Sequence, residues 1–389
     1  MPGWGIERRL PDRFAVTRPY DLAVVGAGIV GLAHALAAAR RGWRVVVIDR
    51  DAQANGASIR NFGFVTVTGQ QRGTVWRRAM RSRDVWAEIA PLAGIAVEHR
   101  GLVLLGRRPE SVPILEAFRA TEMGEECLLL EAAEARLRFP DLRPAELSAA
   151  LWSPHELRVE SRDAIPRLAA YLEHAHGVTI LREVQVGGID GSTLRTSAGP
   201  IEADRIVVCP GGDFRTLFPD AIAAQKLTQC KLHMLRLAPP APGFRLPGAV
   251  MTDLSLVRYE GFDALPETAA LRARLEAEQP AHRANGIHLI AVQSADGSLV
   301  VGDSHHYGPT PDPFAPQAVD ELILDEYRAT VAPGDPVVLE RWTGLYPSGR
   351  DTMFSLAPAP RVRLVMVTSG TGASTAFAIG EETIDDLDR

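Results

Sequence analysis

One stretch limits the possible folds more than any other: VVGAGIVGLAHALAAARRGWRVVVID, residues 24–49. Leu22 to Val25 reads as a short, fully buried parallel strand. Gly26, Gly28 and Gly31 come next as GxGxxG. The first permits a tight turn, the second lets backbone approach a pyrophosphate, and the third lets a helix pack close on the strand. Ile29 to Arg41 reads as an alanine-rich helix stopped by Gly42. Its N-terminus offers free N–H groups and a positive dipole end to a diphosphate. Trp43 to Ile48 reads as the second strand. Asp49 ends it, where an acid can accept hydrogen bonds from a ribose diol, with Arg50 beside it. The unit predicts a dinucleotide held along Gly26, Ala27, Gly28, Ile29, Gly31, Asp49 and Arg50.

The segment after Asp49 separates FAD from a nicotinamide cofactor. A nicotinamide domain continues at once with helix and strand repeats. Here DAQANGASIRNFGFVTVTGQ is polar and carries glycine, with no helical period from Asn55 to Gly63. The nucleotide fold resumes later. IEADRIVVCPGGDF (201–214) ends a buried strand on Cys209-Pro210-Gly211-Gly212. RVRLVMVTSGTGASTAFAIGEE (361–382) runs strand, Gly-Thr-Gly loop, helix. Two further strand-to-glycine endings suit a long cofactor lying across the carboxyl edge of one sheet.

The remaining composition removes other classes. The 389 residues carry a net charge of −6 with the signs interspersed, and no basic stripe points to nucleic acid. No run of about 18 apolar residues reads as a membrane helix, and residues 1–20 read as a loosely held arm with no signal-peptide core. Cys127, Cys209 and Cys230 form no CxxC pair and are odd in number, so a reducing cytoplasm is the expected compartment. His305-His306 lacks accompanying ligand spacing, so no metal is expected.

The segments between the nucleotide blocks alternate apolar and polar residues. Residues 97–107, 228–239, 249–261, 286–308 and 336–347 read as antiparallel strands, with a hairpin turning at Asp296-Gly297. Residues 265–279 and 320–331 read as helices. The expected fold class is α/β (α+β, two-domain): a Rossmann-like FAD-binding domain, discontinuous in sequence, plus an antiparallel β-sheet substrate domain flanked by helices. The expected bounds are 21–90, 155–225 and 348–389 for the first, and 91–154 and 226–347 for the second. Such a junction places a substrate pocket between the domains. Its basic and aromatic candidates are Lys231, His233, Arg258, Tyr259, His288, His305, His306, Tyr307 and Arg341. Strand alternation predicts that Lys231 and His233 share a face and that Arg258 and Tyr259 do not.

From Tyr20 onward the sequence resembles the D-amino-acid oxidase superfamily of FAD enzymes, in particular the glycine and sarcosine oxidase branch. The fingerprint with Asp49, GASIRNFG (56–63), CPGGDF (209–214), RWTGLYPSGRDTMFSLAP (341–358) and SGTGASTAFAIGEE (369–382) carry the resemblance. GASIRNFG, KLHMLRLAPP (231–240) and VGDSHHYG (301–308) are most similar to a subgroup associated with phosphonate catabolism. The resemblance implies that Ser58, Arg60 and Asn61 touch the diphosphate and the ring edge, and that Val184 bonds the adenine through its backbone. It also puts Tyr346 on the substrate side. Gly370, Thr371, Gly372, Ala373 and Ser374 would aim N–H groups at the pyrimidine end of the flavin. Gly344 stands where sarcosine oxidases carry the cysteine that binds flavin, which implies non-covalent FAD. Ser374 stands where those enzymes carry a lysine near the oxygen-reactive face.

The implied reaction is FAD-dependent oxidation of a small primary or secondary amine with an anionic tail, an aminoalkylphosphonate in particular, with glycine or sarcosine as the amino-acid form. Tyr346, Arg60, Asn61, Tyr259, His233, His306 and Ser374 are the residues expected at the reacting end. The acceptor is dioxygen or, given Ser374, another carrier, which would make the chain an FAD-dependent dehydrogenase of an amine or hydroxy acid. The short tail after Gly380 motivates a third reading, a non-catalytic FAD-binding protein.

Overall fold

The computed structural model describes residues 19–389. The arm expected over residues 1–20 thus lies, but for Pro19 and Tyr20, outside the described residues. Three sheets organise the rest.

The first is six-stranded, with Leu22–Val25 between Val45–Ile48 and Ile206–Val208. Val362–Val367 lies beyond Ile206–Val208, and these strands are parallel. Only the edge strand Met353–Ala359 runs antiparallel. The apolar runs form strands because both sheet faces are covered. Leu22, Val24, Val45 and Val47 pack under the helices Ile29–Ala39, Ser161–His176 and Gly372–Asp388. Ala23, Val46 and Ile48 point the other way, toward a small antiparallel sheet of residues 186–202. Each strand's alternation therefore feeds two cores.

The second domain is built on a ten-stranded sheet. Thr228–Leu237 lies one strand in from one end, paired with Leu299–Gly302 on one side and with His306–Gly308 and Val338–Ser348 on the other, all antiparallel. The expected hairpin is present as Ile290–Gln293 and Leu299–Gly302. Helices Thr268–Glu278 and Gln317–Thr330 lie close to the expected ranges, the second starting directly after Pro316.

Three expectations need correction. The strand expected over 249–261 stops at Thr252, where Asp253 is buried and accepts from the N–H of Arg107 and of Arg108, and the chain turns into two short helices. That strand pairs parallel with Val97–Gly106, so the sheet is mixed rather than wholly antiparallel. The boundary placed between 154 and 155 falls inside the strand Ala149–Val159, one unbroken element paired with Val97–Gly106. Among the described residues no helix is long and apolar enough to cross a membrane.

Candidate active site

The parallel strands deliver Gly26, Asp49 and Cys209 to one edge of the first sheet, and a cavity of about 620 Å³ runs from that edge to the second sheet. At the edge its wall is mostly backbone. Gly26 adopts φ +104°, a left-handed value that favours glycine. A Cβ there would run into the Cys209 carbonyl, one on Gly31 into the Gly26 carbonyl, and one on Gly28 against Ser58 Oγ. Asp49 Oδ2 accepts the Ala27 N–H at 2.6 Å and Oδ1 accepts the Asp51 N–H at 2.9 Å, which fixes the carboxylate at the rim. The first turns of the helices Ile29–Ala39 and Gly372–Asp388 both face the cavity, and a helix's first N–H groups have no helical partner. Two positive helix ends, a Cβ-free glycine turn and a fixed acid suit a diphosphate and a ribose. The residues present fit an FAD.

The polar segment 55–63 forms turns along the same wall. Ser58 Oγ accepts the Ile29 N–H at 3.0 Å, so it braces the glycine turn. Arg60 donates to Asn55 Oδ1 at 3.1 Å, and its carbonyl accepts from Trp342 Nε1 at 3.3 Å. The Asn61 amide donates to the Ala57 carbonyl at 2.7 Å and accepts from Gly63 N–H and Ser161 Oγ, so its oxygen is taken by local structure. Arg50 lines the cavity but is tied to Asp213 at 2.7 Å. Val184 lines the cavity, and its N–H is taken by the Asp49 carbonyl at 3.0 Å, so that N–H is not free for a ligand. Gly344, Gly370, Thr371, Gly372 and Ala373 all line the cavity, with Cys209, Pro210 and Gly211 opposite them. The buried Ser374 Oγ accepts the Thr66 N–H at 2.8 Å, a structural bond that ties the helix Gly372–Asp388 to the segment after the 55–63 turns.

The far end of the cavity is built from side chains. Arg258, Tyr259, His288, Asp303, His305, Tyr307 and Tyr346 line it. Arg258 Nη2 donates to Tyr307 Oη at 3.1 Å, and among the described residues it has no carboxylate within ion-pair distance. Burial works against its charge, but Tyr307, Tyr346 and Asp303 outweigh that and keep the guanidinium protonated. Burial pushes the Tyr259 and Tyr346 phenols up, so both stay neutral donors. Burial pushes His288 down, and His305 down to about 3. Burial also opposes ionisation of Asp303, yet the His288 Nε2–H beside it and the Arg258 charge overcome it and hold the carboxyl below its ordinary range. The result is one anion and one cation among neutral aromatic and imidazole rings.

Several sequence-derived candidates are elsewhere. Ala27 lies behind the wall, its N–H bound to Asp49. His233 and His306 do not line the cavity, because alternation along their strands turns them to the sheet's opposite face. There His233 Nδ1 meets Asp320 at 3.1 Å, and Lys231, on the same face, meets Asp312 at 3.0 Å. Arg341 likewise serves Asp320. The expectation that Arg258 and Tyr259 part company assumed a strand. They sit instead between two short helices, and both reach the cavity. Asp303 was missed. Its only signal was an acid two residues before His305 in VGDSHHYG. With His288 and His305 it gathers donor atoms within 4.8 Å of one another, a cation-sized cluster.

This arrangement defines a flavin-binding oxidoreductase with a separate substrate chamber, and comparison with known proteins agrees. A family model described as FAD dependent oxidoreductase (DAO) matches residues 21–385. The chain belongs to that family, and its cofactor is FAD. Among curated relatives, glycine oxidase of Geobacillus kaustophilus (strain HTA426) is 25% identical over 210 residues, 50% of this chain and 55% of that protein. Monomeric sarcosine oxidase of Bacillus sp. (strain B-0618) is 26% identical over 201 residues, 49% of this chain and 51% of that protein. The chain thus spans about half the length of the curated relatives it matches. The solved glycine oxidase from Geobacillus kaustophilus superposes with a TM-score of 0.74 at 19% identity, covering 96% of this chain and 95% of that one, which establishes a shared fold.

Proposed function

We propose that the chain oxidises the C–N bond of a small primary or secondary amine carrying an anionic tail, an aminoalkylphosphonate such as 2-aminoethylphosphonate or its N-methyl form, or glycine or sarcosine. The observation that carries this reading is Arg258: a cavity-lining guanidinium without a carboxylate partner among the described residues. A planar cationic fork with no carboxylate partner, set among aromatic rings, is matched to an oxyanion. FAD, when bound, supplies the two-electron acceptor. The chain's part is to hold the tail on Arg258, to orient the carbon beside nitrogen, and to exclude water with Tyr259 and Tyr346. The N-terminus of the helix Gly372–Asp388 stabilises negative charge at the cavity wall. Gly344, in place of a cysteine, supports non-covalent binding. The relatives named glycine oxidase and sarcosine oxidase support an amine donor, and the resemblance of 301–308 supports the phosphonate.

The test is anaerobic mixing of the purified holoprotein with a panel of small amines. Loss of the flavin's visible band with an oxyanion-bearing amine is expected. Reduction by hydroxy acids only would refute an amine donor.

Ser374 favours a second reading of the acceptor. Its hydroxyl is bound to Thr66, and it brings no cation to the place where sarcosine oxidases carry a lysine. Hydrogen peroxide yield per turnover distinguishes dioxygen from a carrier.

A further inference from the structure

His305 and Asp303 present two acceptors to each other with no donor between them. His305 Nδ1 lies 3.0 Å from the Gly286 carbonyl, an oxygen that can only accept, so Nδ1 carries the ring proton. Nε2 is then a bare lone pair, because burial keeps the ring neutral. That lone pair lies 3.7 Å from Asp303 Oδ2. Asp303 is 4% exposed; His288 Nε2 stands 2.9 Å from its Oδ1, and no side chain among the described residues donates to its Oδ2. A buried carboxylate facing a lone pair is costly unless something donates to both.

The geometry points to a seat for the substrate's amino group, with N–H bonds to His305 Nε2 and Asp303 Oδ2. This inference deepens the amine reading above and rests on it for the identity of the ligand. The surroundings suit a cation. His305 packs edge-on to Tyr346, and Tyr307 lies nearly parallel to it, both with centroids 6.4 Å away. Aromatic faces around an ammonium add cation–π attraction. Arg258 shares the chamber, so the two ends of a short zwitterion meet opposite charges: tail on Arg258, nitrogen on Asp303. A metal ion suits the cluster less well. The His288 and His305 rings stack at an interplanar angle of 25°, so their in-plane lone pairs run side by side instead of converging.

The test uses probes that cannot be oxidised. Ammonium chloride, tetramethylammonium chloride and methylphosphonate are titrated into the FAD-loaded protein, read by the change in the flavin's visible spectrum. Ammonium is expected to bind and tetramethylammonium, which has no N–H, to fail. In Asp303→Asn, loss of a buried charged acceptor should weaken ammonium by at least about tenfold and leave methylphosphonate within about twofold. His305→Leu should behave likewise, and it carries the comparison if the first variant loses FAD. Equal weakening of ammonium and methylphosphonate, unchanged ammonium binding in both variants, or stoichiometric zinc that leaves with Asp303→Asn would overturn the seat. Because no turnover is needed, failure of the amine-oxidation reading is recorded separately, by the substrate panel.

Discussion

The cavity has two ends built on different principles. At the sheet edge, glycines, helix N-termini and one fixed acid form the wall, and recognition is by backbone shape. At the other end Arg258, Asp303, two histidines and three tyrosines form it, and recognition is by charge and hydrogen bonding. Damage to the first end should cost the cofactor. Damage to the second should cost the substrate while the protein stays yellow.

The largest effect tests the backbone end. Gly31→Val drives a side chain into the Gly26 carbonyl, and overpacking of about 3 kcal/mol predicts a more than hundredfold loss of FAD affinity, seen as colourless purified protein. Normal FAD content would break the contrast. Next comes the charged end. Arg258→Met should keep its FAD and raise KM for an anionic amine by roughly 30- to 150-fold, the ~2–3 kcal/mol of a lost buried charge contact, with little change for an amine lacking a tail. The sheet's opposite face supplies a control. Asp320→Asn removes the partner of His233 and Arg341. It should lower stability by about 1–3 kcal/mol yet leave KM within about twofold, measured by denaturant unfolding beside steady-state kinetics.

The last test is a slope, small per pH unit. Burial pushes His34 to about 4 and His305 to about 3, whereas an unfolded imidazole titrates near ~6.5. Below that value the unfolded chain binds protons that the folded one refuses. Stability should therefore be level above pH ~6.5 and fall by about 1 kcal/mol per pH unit for each such histidine as pH drops toward 4. A urea midpoint that rises on acidification would contradict this.

The two ends also differ in how legible they were. The glycine turn, Asp49 and the strand endings at Cys209 and Ser369 could be read because tight backbone geometry admits few residue types. The chamber could not. His305 and His306 are adjacent in sequence, and only the pleat decides that one faces the cavity and the other the opposite side. Arg258 was placed on a strand because AVMTDLSLVRYEG alternates, and the buried Asp253 breaks that strand through contacts more than a hundred residues away in sequence. Asp303 and His288 are fifteen residues apart in sequence, and only the fold sets them side by side. The small sheet of residues 186–202 was missed because its short polar strands carry little periodicity.

The most direct measurement of the central claim is anaerobic reduction of the bound flavin by paired compounds that differ only in the tail: ethylamine against 2-aminoethylphosphonate, in wild type and in Arg258→Met. The account predicts fast bleaching by the tailed amine in wild type, slow bleaching by ethylamine, and loss of that preference in the variant. Equal rates for both compounds in wild type, or a preference that survives in Arg258→Met, would contradict it.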